Sequence, residues 1–357
     1  MTSISSRFKH VVQLVSYKVA SEMRLSNTST LVDCPPITHS LKIYTYNLPY
    51  YYTKNDHFDL KVTYQTFEAI SQYFSNCIET TDPTQADYFF VPLHLHRFQY
   101  KNIDPYELLD QLSYLSDKKD HIIVATGDFA QRGKHYGHGS AYLKEFSWLK
   151  KFILLALEST PALIKNHDIG IIPYNTLSAT PHFNDNYRPY LYSFFGSSYK
   201  NYLPETHVRR QLFKLGNKPD TYISDLLPIA LKNHLLANYQ TDNDYELVSR
   251  NSIFTLVPAG YGCWTYRFFQ AVQWGSIPII LSDNYVKPFS DQIPYDKCCV
   301  TVSESEVSNL DKIIRNISKK SIGILQRELK LAQSLFTPDN FFAMLTKQLV
   351  IQRKYLT

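Results

Sequence analysis

Short apolar runs alternate along this chain with longer stretches in which apolar residues recur every three or four positions. Leu41–Tyr46 (LKIYTY) reads as a strand stopped by Asn47 and Pro49. From Tyr64 to Ile78 the residues Phe67, Ile70, Tyr73 and Phe74 share one helical face. Ala86–Pro92 (ADYFFVP) and His121–Thr126 (HIIVAT) read as buried strands, with a helix from Asp104-Pro105 carrying Leu108, Leu109 and Leu112 between them. A helix from about Ser140 to Leu157 and a strand over Asp168–Pro173 follow. After a polar stretch near 175–185 the alternation resumes. Strands are expected at Tyr190–Phe195, Asp220–Ile223, Ser252–Val257, Ile277–Leu281 and Val300–Val302, with helices around Arg209–Leu212 and Thr265–Trp274. From Val307 to Leu356 the chain reads as largely helical. Strands alternating with helices predict parallel βαβ units in an α/β protein. The expected divisions are an extension at 1–38, a first domain at 39–185, a second at 186–325 and a helical segment at 326–357.

Composition narrows the function classes. The chain has 357 residues with 44% hydrophobic and 19% charged content, enough for two domains with their own cores. Lys and Arg number 37 against 32 Asp and Glu, a formal charge of +5. The basic residues are scattered, so no nucleic-acid footprint is expected. No apolar run is long enough for a membrane-spanning helix. The stretch Phe8–Met23 is broken by Lys9, His10, Lys18 and Glu22, unlike a signal peptide, and is compatible with packing or peripheral membrane contact. The five cysteines, Cys34, Cys77, Cys263, Cys298 and Cys299, form no ligand pattern and read as reduced thiols. The expected location is cytoplasmic, possibly peripheral at a membrane. Tyrosine is abundant at 28 residues, including Tyr50-Tyr51-Tyr52, and such rings stack well on sugars and bases.

The chemistry concentrates in Ser252–Phe289. The segment runs strand, glycine loop, helix, glycine, strand. Gly260 and Gly262 lie where a strand meets a helix N-terminus, a place where backbone N–H groups and the helix dipole favour phosphate. Tyr261 lies between these glycines, and Trp264-Thr265 leads into the helix. Arg267 is placed to clamp a diphosphate, and Gln270, three residues on, to bond a ribose hydroxyl. Asp283 falls at the carboxyl end of the next strand, where open α/β sheets bind ligands. A G-x-G pair alone also recurs in ordinary turns. Asp242-Asn243-Asp244, the sole D-x-D triplet, has no apolar strand leading into it and reads as a solvated loop.

These residues resemble the exostosin family, glycosyltransferase family 47. Pro258, Gly260, Trp264-Thr265-Tyr266-Arg267, Gly275-Ser276-Ile277-Pro278-Ile279 and Asp283…Pro288-Phe289 match its motifs in order. Lys42–Pro49, Asp82–Pro92, Asp168–Pro173 and Phe194-Phe195-Gly196 extend the likeness over about residues 40 to 315. Two positions depart from it: Gln270 stands where the family has an acidic residue, and Ser276 where it has Cys. The resemblance implies a GT-B fold, two Rossmann-like domains facing each other across a cleft. It also implies an inverting, metal-independent transfer from a nucleotide-sugar, by habit a UDP-sugar, to a glycan or glycolipid acceptor. No cofactor and no metal ligand are expected. The donor-binding set is then Arg210, Ser252, Gly260, Tyr261, Gly262, Trp264, Thr265, Arg267, Gln270 and Asp283. The base is expected on loops of the first domain: Asp128 foremost, then His94 and His96, the two histidines alternating along an extended segment so that both point one way. A non-catalytic nucleotide- or glycan-binding partner of another transferase is the alternative, favoured by Gln270. A dehydrogenase-type epimerase is disfavoured, since Asn-Leu-Pro follows the first strand in place of a glycine fingerprint.

Overall fold

A computed structural model describes residues 41–55, 61–115, 120–127, 146–178, 188–196, 208–225, 241–260 and 262–356. Among the described residues ten strands form two five-stranded sheets, both parallel in every pairing. The first orders β1 (Ile43–Thr45), β2 (Tyr88–Phe90), β3 (His121–Ala125), β4 (Phe152–Ala156) and β5 (Ile169–Gly170) side by side in sequence. The second comprises β6 (Tyr190–Gly196), β7 (Thr221–Asp225), β8 (Ser252–Pro258), β9 (Ile277–Leu281) and β10 (Val300–Thr301), in the order β10-β9-β8-β6-β7. The α/β, two-sheet expectation is borne out. The described strands of the first sheet run in sequence order. The second reverses direction between β6 and β8, which makes their carboxyl ends a topological switch point, the crevice where such sheets bind ligands.

Parallel sheets covered on both faces need strands that are apolar throughout. In β3 and β4 alternate residues serve opposite faces. Ile122, Val124, Ile153 and Leu155 enter a core shared with the second half, while Ile123, Ala125, Leu154 and Ala156 enter a smaller core with Phe98, Leu108 and Trp148. This explains a misreading. Phe152–Ala156 (FILLA), expected at the end of a helix, is a strand in which every residue is buried. A short apolar run carries no period that separates a buried strand from a helix.

The helices relevant to the site are α1 (Lys61–Cys77), α2 (Leu95–Tyr100), α3 (Val208–Lys214), α4 (Thr241–Arg250), α5 (Tyr266–Gln273), α6 (Lys319–Ala332) and α7 (Pro338–Leu356). Three expectations change here. The D-x-D triplet lies in the first turn of α4 and not in a loop. Residue 325, expected as a boundary, falls inside α6. And α7 is no separate appendage: it packs against the first half, where Phe342 stacks on Tyr73 of α1 at 4.2 Å. The Tyr73 hydroxyl is 2.7 Å from Thr346 Oγ1, and Tyr88 Oη donates to the Leu349 carbonyl at 2.8 Å.

The carboxyl ends of the two sheets meet. Val286, beyond β9, donates its N–H to the carbonyl of Ser159, beyond β4, at 3.0 Å. Among the described cysteines Cys263, Cys298 and Cys299 are buried thiols outside any disulfide, but Cys77 is disulfide-bonded. That corrects the reduced-thiol reading, and a bonded cysteine removes the support the thiols lent to a cytoplasmic location. No described helix is long and apolar enough to cross a membrane.

Candidate functional site

The loop after β8 sits at the switch point. The Gly260 N–H donates to the Trp264 carbonyl at 3.2 Å, closing a tight turn. A Cβ at Gly260 would stand 2.9 Å from that same carbonyl oxygen, so the turn admits no side chain there. Gly260→Ala is therefore expected to spread the loop at a cost of about 1–3 kcal/mol. Urea unfolding should show that loss as a lower midpoint. Gly262 is buried in the same bend, and Ser282 Oγ secures it by donating to the Cys263 carbonyl at 2.6 Å.

Thr265 caps α5, its hydroxyl accepting from the Arg267 N–H at 3.4 Å. The helix ends at Gly275, whose φ of 69° only glycine adopts without strain. There Gly275 N–H bonds the Val272 carbonyl and Ser276 N–H that of Ala271, a Schellman closure. From below, Gln333 Nε2 donates to the Val272 carbonyl and Gln273 Nε2 to that of Phe336. The N-terminus of α5 is thus held from both ends of the helix. Half-buried Arg267 lies in its first turn and donates from Nη1 to Gln270 Oε1 at 2.5 Å. Trp264 is buried against Tyr266, ring centroids 4.7 Å apart, and its Nε1 has no hydrogen-bond partner among the described residues. A buried N–H of this kind is a donor in wait for an oxygen-rich ligand or a water.

Arg209 was missed by sequence reasoning. It is buried, and its Nε donates to the Ala259 carbonyl at 2.8 Å, bracing the glycine loop from α3. The neighbouring Arg210, expected at the donor, lies on the half-exposed flank of the helix. Only the three-dimensional phase of α3 distinguishes the two. Ser252 also moves out of the set. It begins β8, about 20 Å from the glycine loop at strand rise. There its hydroxyl donates to the Val248 carbonyl and lies 2.7 Å from Ser193 Oγ, as a core bond. Asp283 does stand at the carboxyl end of β9, but its carboxylate accepts from Glu304 N–H at 3.0 Å and Ser303 Oγ at 3.1 Å, pinning the loop after β10. Ser276, at the family's cysteine position, accepts from Thr255 Oγ1 and donates to the Ser252 carbonyl, tying β8 to β9. Tyr261 and Asp128 lie outside the described residues.

Across the cleft, the segment after β2 is not extended as expected. His94 precedes α2 and His96 lies within it. His94 is fully buried, stacked on Phe67 at 5.4 Å and edge-on to Tyr64, with Nδ1 3.2 Å from the Lys54 carbonyl. His96 Nδ1 is 3.0 Å from Thr63 Oγ1. Burial, with neighbouring His94, holds the His96 imidazole down to about 3. So weak a base is poorly matched to proton abstraction near neutrality. It has a thermodynamic signature. The unfolded chain protonates this ring near its ordinary pKa of about 6.5, whereas the folded ring stays neutral down to about 3. Between those values the unfolded state binds the extra proton, so stability falls as the pH falls through that window. His96→Gln is expected to flatten this acid limb by close to one proton in urea titrations from neutral pH downward. An unchanged slope would place the titrating group elsewhere.

A second residue missed from sequence is Glu158. It is buried, and it stands two residues beyond β4 at the carboxyl edge that meets the second sheet. The misread helix over 140–157 hid it, since it placed no strand end there.

The assembled features are a closed glycine loop, a capped helix start and two arginines at the switch point of a parallel sheet, with the Glu158 carboxylate on the facing edge. Known proteins share this pattern of sequence. The Exostosin GT47 domain profile matches residues 37–317. "Probable glucuronosyltransferase GUT1" of Oryza sativa subsp. japonica is 26% identical over 339 residues, covering 82% of this chain and 74% of that protein. "Exostosin-1 homolog" of Caenorhabditis elegans is 24% identical over 279 residues, 70% of each chain. "Probable beta-1,4-xylosyltransferase IRX10" of Arabidopsis thaliana is 40% identical over 101 residues, 28% of this chain and 24% of that one. Among solved structures, a Thermobaculum terrenum O-GlcNAc transferase mutant overlaps 91% of this chain and 71% of its own at 12% identity and a TM-score of 0.42. With 281 of its 357 residues inside the profile, the chain belongs to the exostosin GT47 family of glycosyltransferases.

Proposed function

We propose that this protein moves a sugar from a UDP-sugar to a glycan acceptor, with inversion and without an obligatory metal, in the building of a polysaccharide or glycoconjugate. The observation that carries the reading is Arg267 in the first turn of α5, beside the closed Gly260 loop at the β6/β8 switch point. In such a transfer the acceptor oxygen loses its proton and attacks the anomeric carbon, the bond to the diphosphate breaks, and the nucleotide departs with one more negative charge than the two its diphosphate already carried. The helix N-terminus and the guanidinium supply positive charge where that charge develops. The Gln270 amide oxygen accepts from the guanidinium and orients it. Trp264 Nε1 adds a donor for the nucleotide or sugar.

The acceptor proton needs a base on the first sheet's carboxyl edge. Asp128, following β3, holds this role in our reading, with Glu158 after β4 as the rival. Asp128→Asn and Glu158→Gln separate them, since removal of a general base lowers turnover about 10²–10⁴-fold and the other variant should retain it.

The function itself is tested by thermal shift against nucleoside diphosphates, then against their sugars, followed by transfer assays with a chelator present. Stabilisation by uridine diphosphate over other bases, and chelator-resistant transfer, are the expected outcomes. Nucleotide binding without transfer or donor hydrolysis would favour the non-catalytic partner instead.

A further inference from the structure

Tyr50 and Tyr51 open a single helical turn, Tyr50–Thr53, beyond the carboxyl end of β1. Tyr50 is 76% exposed and Tyr51 46%. Neither burial nor looseness accounts for Tyr51. The guanidinium of buried Arg97 lies 4.9 Å from its ring centroid, while Phe98 and Tyr52 meet the ring edge-on at 5.5 and 5.2 Å. The backbone of the turn is laced to α2 as well. Arg97 Nη1 donates to the Tyr51 carbonyl at 2.9 Å, and His94 N–H to that of Tyr52 at 3.0 Å. A buried arginine and two aromatic neighbours thus fix a ring that is still half open to water. A fixed, amphipathic ring binds at low cost in conformational entropy, because it is already ordered.

We propose that Tyr51, flanked by Tyr50, is a stacking subsite for a sugar ring of an extended glycan acceptor. The proposal rests on the glycosyltransferase reading for its choice of occupant. A pyranose offers an apolar C–H face to an aromatic ring and hydroxyls at its rim, and the Lys54 ammonium, 5.9 Å from the Tyr51 centroid, stands ready at that rim. The subsite is remote from the point of transfer. The sheets meet at β4, through Ser159 and Val286, and β1 lies three strand positions away, about 14 Å at the spacing of a parallel sheet. Tyr51 therefore reads the acceptor beyond the sugar that is modified.

The test uses the whole chain, a glycan array, and a ladder of β-1,4-xylo-oligosaccharides from disaccharide to hexasaccharide. Expected is array binding by the wild type that Tyr51→Ala abolishes and Tyr51→Phe keeps. In transfer assays Tyr51→Ala should raise KM about tenfold for long acceptors, leaving KM for the donor and for the shortest acceptor unchanged. Glycan binding indifferent to Tyr51, or a KM raised equally at every length, overturns the proposal. So does a wild-type dimer that Tyr51→Ala dissociates without changing glycan affinity, since that would make the face an interface between copies. The two readings fail separately: absence of nucleotide binding and transfer sinks the enzyme, whereas Tyr51-dependent array binding stands without turnover.

Discussion

Arg267→Ala is expected to lower kcat for sugar transfer by about 10²–10³-fold, the scale of removing one preorganised donor from a developing anion. Nucleotide affinity should fall by less, because the glycine loop and the helix start remain. The side chain is half-buried and donates to Gln270 Oε1 from the surface turn of α5, so the melting temperature should change less than turnover does. The apolar side of the helix, Phe268, Phe269 and Val272, carries its stability instead. Arg267→Lys should recover part of the loss: an ammonium restores the charge but not the planar fork that grips two phosphate oxygens. If Arg267→Ala turned over normally, the leaving group would have to be met elsewhere, with Arg209 the first residue to examine.

How much of this was legible beforehand depended on which physical signal was local. The unit β8–α5–β9 could be read residue by residue, because Thr265 caps, Gly275 stops and Pro258 ends their elements by rules that act within a few positions. The ordered motifs from Lys42 to Phe289 likewise brought out both halves of the protein. What failed was non-local. FILLA became β4 because its neighbours β3 and β5 accept its backbone, information absent from five apolar letters. His94 and His96 were read as catalytic from their place after a strand, yet Tyr64 and Phe67 of α1 cover the first, and the second is buried in α2 beside Thr63. Arg210 was chosen over Arg209 without knowledge of the helix phase. Ser252 was included because it opens the motif, although a strand's two ends stand far apart and only the carboxyl end faces a ligand.

The largest stability effect is expected at Phe342, in the final helix. Phe342→Ala should destabilise the protein by about 3–5 kcal/mol, the usual cost of emptying a buried aromatic site. The ring is 1% exposed, stacks on Tyr73 at 4.2 Å, and also meets Tyr174 at 5.6 Å and Phe341 at 5.1 Å. Its neighbours come from different parts of the chain. Tyr73 belongs to α1 on the first sheet, and Phe341 faces Phe289 beyond β9. The approach to α7 is tied to the second half too, through the Phe336 carbonyl that accepts from Gln273 Nε2 and from Ser178 N–H. The helix therefore clasps the two halves, and its loss of grip should be visible as more than a lower melting temperature. Urea unfolding followed by a probe in each half should split into two transitions in the variant if the clasp makes the halves cooperative. Tyr73→Phe, which removes only the bond to Thr346, should cost about 1 kcal/mol and keep a single transition. A Phe342→Ala variant that unfolded in one step, within 1 kcal/mol or so of the wild type, would mean that α7 is held by its other contacts and that the two sheets keep their relative position without it.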